Sequence, residues 1–236
     1  MLQRRTAPIC SVPEMLWGSQ PIDGGHLLLT DVEKINLLAQ EPNAAPWIRP
    51  YLGAEEFLHS IPRWCLWLKD CSPSAMAVLP QVRARVQQVK AMRLASNSAP
   101  TNKLASYPTF FGNERHTDAP YLLMPIVSSE KRNYVPIGFI SNGAVASNLV
   151  FMLPKATLIH FAILTSTMHM TWMRYVCGRL KSDFRYSNTI VYNNFPWPNI
   201  VNSLTKSASN VPVAFVKYRQ TAPENIAKSK TNAITA

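Results

Sequence analysis

Acid is scarce in this chain of 236 residues and glycine is scarcer: 13 Asp/Glu and 8 Gly stand against 24 Lys/Arg. The shortage of glycine removes several chemistries at once. No GxGxxG or P-loop is present to wrap backbone N–H groups around a cofactor's phosphates, and Gly24-Gly25 is the only glycine pair. No GxSxG elbow and no HExxH occurs. Cysteine is limited to Cys10, Cys65, Cys71 and Cys177, with no CxxC and no histidine at ligand spacing. Reduced thiols are therefore expected, not a zinc site or a disulfide framework. Glu55 and Glu56 are the only adjacent carboxylates, and neighbours in sequence point apart, which suits them poorly to acid–base work. No acid is followed two residues later by lysine, the spacing that divalent-metal nucleases use. The NPPY or DPPY motif that grips a flipped base in amino-methylating DNA enzymes is missing too; in NNFPWP (193–198), Phe195 separates the amide from proline. Together these absences argue against a self-contained catalyst.

Long apolar runs are also missing. Arg4 and Arg5 precede no stretch of signal-peptide length, so a cytoplasmic location is expected. Residues 156–173 (ATLIHFAILTSTMHMTWM) are uncharged, yet they contain His160, His169, Ser166 and four threonines. They are also short for a bilayer core of about 30 Å. Leu158, Phe161, Leu164, Met168, Trp172 and Val176 recur at spacings of three and four, which predicts a helix in a protein core and no membrane span.

What the chain does have is positive charge, unevenly placed. Residues 1–70 carry 6 Lys/Arg and 8 Asp/Glu, a net of −2; residues 71–236 carry 18 and 5, a net of +13. An excess confined to one part of a chain points to an anionic partner approaching that part, with nucleic acid first and anionic lipid second.

Element signals run along the sequence. Pro21–Gly25 (PIDGG) is a turn leading into HLLLT. Thr30 and Glu33 make a capping box for a helix over 31–40 that stops at Glu41-Pro42. Residues 48–57 read as a proline-broken connection, and RWCLWL (63–68) as a strand. Pro80 starts a cationic helix whose apolar stripe is Val82, Val86, Val89 and Leu94; Arg83, Arg85, Lys90 and Arg93 read as its solvated face, with a DNA contact as the alternative. Residues 97–107 read as polar loop. Three strand-like runs follow at 121–127, 134–140 and 147–153, and Pro125 and Pro136 mark two of them as edges or bulged strands, not ideal central ones. A long helix over 155–176 ends at Gly178 as its cap. Residues 199–236 are polar and patternless and read as a loose tail after a domain over 1–198.

Two basic segments carry the functional signal. The first begins with Arg174 and runs through GRLKSDFRYSNTIVYNNFPWP (178–198), where Arg179, Lys181 and Arg185 interleave with aromatics. Guanidiniums after a rigid helix suit phosphates, which accept bidentate forks. The alternative is that they tie the helix end to Asp183 or to carbonyls; for Arg179 both readings stand open. Phe184, Tyr186, Tyr192, Phe195 and Trp197 read as core anchors, and His169 as a structural histidine. The second segment is VSSEKRNYVP (127–136), whose Lys131, Arg132 and Asn133 are candidates for reading base edges, with Asn142 and Asn148 of SNGAVASN beside them. A Glu130–Arg132 pair that merely orients the loop is the plain alternative.

In that order, PIDGG-HLLLT, IRPYLGAEEF, RWCLWL, RLAS, PIVSSEKRNYVPIGF, FAILTSTMHMTWMRYVCGRLKSDFRYS and NNFPWP resemble the target-recognition region of the MmeI-like type II (IIG/IIL) restriction–modification DNA methyltransferases, over about residues 18–198. The resemblance implies an α+β domain with a short β-sheet region and a long buried helix near its C-terminal end. It implies double-stranded DNA as partner, and an adenine-specific methyltransferase domain in cis or in trans. S-adenosylmethionine and Mg²⁺ would be held only in domains upstream of this region, so no cofactor and no catalytic activity is expected of this chain alone. Residues 199–236 do not look like the helical segment that follows FPWP in the family, as a truncated gene, a shifted frame or a detached specificity subunit would produce. A non-catalytic remnant with only nonspecific nucleic-acid affinity is the alternative.

Overall fold

In a computed structural model of the chain, residues 2–141 and 143–198 are described. Residues 2–13 form an extended strap that holds to the far end of the described chain. Arg5 N donates to Thr189 O and Ile9 N to Asn193 O, both at 2.9 Å. β1 (Leu16–Trp17) follows, then the PIDGG turn, in which Gly24 and Gly25 take φ of +65° and +88° and the Asp23 carboxylate accepts from Leu27 N at 2.6 Å. β2 (Leu28–Thr30) leads directly into α1 (Asp31–Gln40) through the predicted capping box. Glu33 accepts from Thr30 N (2.8 Å) and from Arg85 (3.0 Å), which pulls its pKa down to about 2.

The stretch read as a broken connection is instead β3 (Ile48–Leu52) and α2 (Ala54–His59). Pro50 is tolerated because it faces Trp64 on one side, while the parallel ladder on its other side starts only at Tyr51. β4 (Arg63–Leu66) is the predicted strand, α3 (Pro73–Ala77) is short, and α4 (Pro80–Leu94) starts at Pro80 as predicted. Val82, Val86 and Val89 are buried, but Leu94 is 59% exposed and Arg93 takes the inward position. All five N–H groups of the Arg93 guanidinium are used, donating at 2.8–3.0 Å to the carbonyls of Pro21, Ile22, Leu104, Tyr107 and Phe110. Residues 97–107 are accordingly not open loop but α5 (Ala99–Lys103) and a 3₁₀ turn, Leu104–Ser106. Pro100 in the first turn and Asn102, whose amide donates to Arg93 O and Leu94 O, seat this segment on the end of α4.

Five strands follow: β5 (Tyr121–Pro125), β6 (Val127–Ser128), β7 (Gly138–Ile140), β8 (Val145–Ala146) and β9 (Val150–Pro154). After them come α6 (Leu158–Leu164), α7 (Thr167–Val176), β10 (Gly178–Leu180), β11 (Asp183–Arg185) and one π-helical turn, Asn188–Tyr192. Three sheets result, in the orders β1-β9-β5-β7, β2-β4-β3-β8 and β10-β11-β6. β5 is therefore interior, not an edge. Its Pro125 stands opposite Val150 of β9, beyond the reach of β7, which pairs only as far as Leu123. β8 runs parallel to β3 in one sheet while β9 enters another, so this short stretch stitches the two halves together. Tyr121, Leu123, Ala146, Val150 and Met152 pack against Leu52 and Phe57 across that seam.

Mixed helix and strand is the architecture expected. The long helix, however, is two. Thr165 Oγ1 donates to Phe161 O (2.8 Å) and Ser166 Oγ to Ile163 O (2.6 Å), and Ser166 then caps α7 by accepting from His169 N. Hydroxyls competing for backbone bonds end one helix and start the next. Leu158 and Met168 of the expected stripe are exposed, whereas His160, Ile163, Leu164, His169, Met170 and Met173 are buried. Gly178 starts a strand instead of capping; Cys177 ends α7 in extended conformation. The tail read over 199–236 lies outside the described residues.

Candidate nucleic-acid interface

The hairpin β10–β11 turns at Lys181, which sits at φ +56°, and β11 pairs with β6 at Phe184↔Ser128 and Arg185↔Val127. Because β6 runs straight into residues 129–133, the hairpin turn and the SEKRN turn lie side by side. Three contacts fix them: Glu130 N donates to Asp183 (3.3 Å), Arg179 stands 3.8 Å from the Glu130 carboxylate, and Arg174 Nη2 donates to Asn133 O at 2.8 Å. Arg174, Arg179, Lys181 and Arg185 are thus brought together with Lys131, Arg132 and Asn133. Six cations meet two acids there, Glu130 and Asp183.

Their engagement differs. Arg179 also donates to Ser182 O (2.8 Å) and lies 4.0 Å over the Phe184 ring, so its guanidinium is largely committed to holding the hairpin. The acid that pairs with it is Glu130, which does not orient Arg132. Lys131, Lys181 and Arg185 are exposed and Arg132 is half-buried, and none of the four makes a side-chain hydrogen bond or ion pair among the described residues. Their charge stays available to an anion. The aromatics of this segment face inward: Phe184, Tyr186, Tyr192, Phe195 and Trp197 are buried. Two exposed rings escaped the sequence reading, Tyr134 beside Asn133 and Tyr175, 87% exposed, beside Arg174. The signal for Tyr175 was its helical offset from the inward Met170 and Met173.

The hairpin hangs on a rigid core. His169 bridges Leu164 O (2.9 Å) and the Tyr186 hydroxyl (3.0 Å), and burial pushes its pKa down to about 4, so it is a neutral structural link. Trp172 donates to Val191 O and Tyr192 to Pro13 O. Burial pushes the thiols of Cys65, Cys71 and Cys177 up, which makes them poor nucleophiles. Among the described residues, no cluster of three or more His, Cys, Asp or Glu could hold a metal, and no helix is long and apolar enough to cross a membrane.

Asn148 stands apart from the hairpin, in an open depression of about 320 Å³ lined with Trp17, Gly18, Gln20, Asn113 and Arg115. Asn142 lies outside the described residues. Gly18 permits this arrangement, since a Cβ there would meet Ser147 O at 2.1 Å. Gly18→Ala should lower stability by about 1–3 kcal/mol, the usual penalty of overpacking, measured as a shift in the urea midpoint.

Residues 1–199 match the family described as MmeI, target recognition domain. This chain belongs to that family. A second match is DNA methyltransferase A of Bacillus subtilis (strain 168), 36% identical over 200 residues that make up 85% of this chain and 23% of the relative. A solved structure of the Type IIL restriction-modification enzyme MmeI in complex with DNA matches with a TM-score of 0.82 and 40% identity, over 88% of this chain and 28% of that one. The chain thus spans about a quarter of the length of these relatives. The α+β architecture described above is the MmeI target-recognition fold.

Proposed function

We propose that this chain binds double-stranded DNA and reads a target sequence, serving as the recognition part of a restriction–modification DNA methyltransferase. Family membership carries the reading, and the cationic end built by the hairpin and the SEKRN turn supports it. Lys181 and Arg185, exposed and unpaired among the described residues, hold phosphates. Arg174 and Arg179 fix the two turns and offer their remaining N–H groups to the same backbone. Lys131, Arg132 and Asn133 face base edges, where Arg and Lys suit guanine and Asn suits adenine. Methyl transfer, with S-adenosylmethionine and Mg²⁺, belongs to other domains of the full enzyme, in cis or in trans. That domain would extrude the target base while this one clamps the duplex. The protein would act in the cytoplasm.

Salt titration of duplex binding tests this. Each phosphate contact adds about −0.9 to the log–log slope, so four contacts give about −3.6. The double variant Lys181→Ala/Arg185→Ala should flatten the slope by about 1.8 while leaving the preferred sequence unchanged. An unaltered slope in that variant would remove the hairpin from the interface. Binding weaker than about 10⁻⁴ M, with no preference among duplexes, would instead favour a non-catalytic remnant.

A further inference from the structure

The depression around Asn148 is built from three chain segments distant in sequence. Gln20 and Asn113 exchange backbone hydrogen bonds at 2.9 and 3.0 Å, and Ser19 N donates to Ala146 O at 2.7 Å. Gly18 N donates to Val150 O at 3.1 Å, and Arg115 N to Ser19 Oγ at 2.9 Å. The backbone is therefore fixed before any ligand arrives, and the side chains it presents have unused hydrogen-bonding capacity. The Gln20 and Asn113 amides share one long contact of 3.4 Å. The Asn148 amide and the Arg115 guanidinium make no side-chain hydrogen bond or ion pair among the described residues. No carboxylate lines the depression. One wall is the Trp17 indole, 36% exposed and packed on Phe151 at 4.8 Å between ring centroids.

Amides next to an apolar wall form a specific chemical pattern. Asn and Gln bond the N6 and N7 of adenine in a bidentate manner, and an apolar side chain meets the methyl group of thymine. Position agrees with this chemistry. Leu149 O accepts from Ile126 N, and Ile126 O accepts from Tyr186 N, so a single residue joins the backbone beside Asn148 to the foot of the cationic hairpin. We propose that this depression reads an A·T base pair through its major-groove edge, as a second base-reading surface beside the hairpin. Asn148 and Gln20 bond adenine, Trp17 contacts the thymine methyl, and Arg115 anchors the neighbouring guanine or phosphate.

This inference rests on the DNA-reading function proposed above, and one experiment separates the two. The full chain selects from a duplex pool with a randomised central segment, and the bound fraction is sequenced. Wild type should enrich a motif that contains an A·T pair. Asn148→Ala or Gln20→Ala should lower discrimination at that pair by roughly 5- to 150-fold, with the salt slope and the rest of the motif unchanged. Asn148→Asp should shift the preference towards cytosine, whose N4 amine needs an acceptor. A wild-type chain that enriches no motif would overturn both the function and this inference. A wild-type motif retained by all three variants would overturn the inference alone, as would a uniform loss of affinity with a flattened salt slope, which would mark the depression as a phosphate site.

Discussion

Arg93→Ala should remove about 4 kcal/mol of stability or more, a large fraction of the 5–15 kcal/mol that holds a typical domain together. The side chain is fully buried and spends every N–H it has on five backbone carbonyls from two stretches of chain, 21–22 and 104–110. Deleting it strands those oxygens away from water, and a stranded buried acceptor costs about 1–3 kcal/mol. Water entering the void would recover only part of that. Burial lowers the pKa of the guanidinium, while the Asp23 carboxylate opposes the shift and favours the charged form. Arg93→Lys should rescue little, because an ammonium offers three donors from one point where the site needs five in a planar fork. Urea denaturation checks this, and a change below about 1 kcal/mol would show that the carbonyls find other partners.

Acidification from pH 7 to pH 4.5 should be the second large effect, and His169 should dominate it. Its folded pKa of about 4 lies below the ordinary histidine value of 6.5, so the unfolded chain takes up the proton first. The stabilisation is complete above pH 6.5 and is lost as pH falls towards 4, up to about 3 kcal/mol in all. His160 and His116, both depressed chiefly by burial, act in the same direction. Glu33 loses its contribution only between the ordinary carboxylate value and about 2, so the two windows barely overlap. His169→Gln keeps a donor and an acceptor between Leu164 O and Tyr186 and should flatten the curve above pH 4.5. Equal slopes for variant and wild type would refute the assignment.

Local chemistry in the chain was legible where one residue type has one use. The Thr30–Glu33 box, Pro80 at a helix start and the PIDGG turn all appear where the sequence put them. The inward aromatics of 178–198 and the structural, hydrogen-bonded role of His169 were legible too. Misreadings arose where tertiary partners decide. Proline in β3 and β5 is harmless because the ladder on its free side is short, a fact set by strands far away in sequence. Arg93 reads as a solvated cation until the carbonyls that converge on it are known. The break at Thr165-Ser166 was visible as two hydroxyl residues in an apolar run, but periodicity alone carried the helix through them. Of the candidate interface, the cationic turns and Asn148 were legible, and the rest of the depression was not: Trp17, Gln20, Asn113 and Arg115 share no local pattern with Asn148.

The strap at the start of the chain also sets an order of events during synthesis. Arg5 bonds Asn194, 189 positions later, and β1 has no ladder partner until β9 has been made. At 5–20 residues per second, residues 2–13 wait roughly 10–40 s before the turn that receives them is made. Until then the buried face of that turn cannot close. The core that Phe151, Phe184, Tyr192 and Phe195 share stays open in the nascent domain, so chaperone demand and aggregation depend on the last twenty residues translated before Pro198.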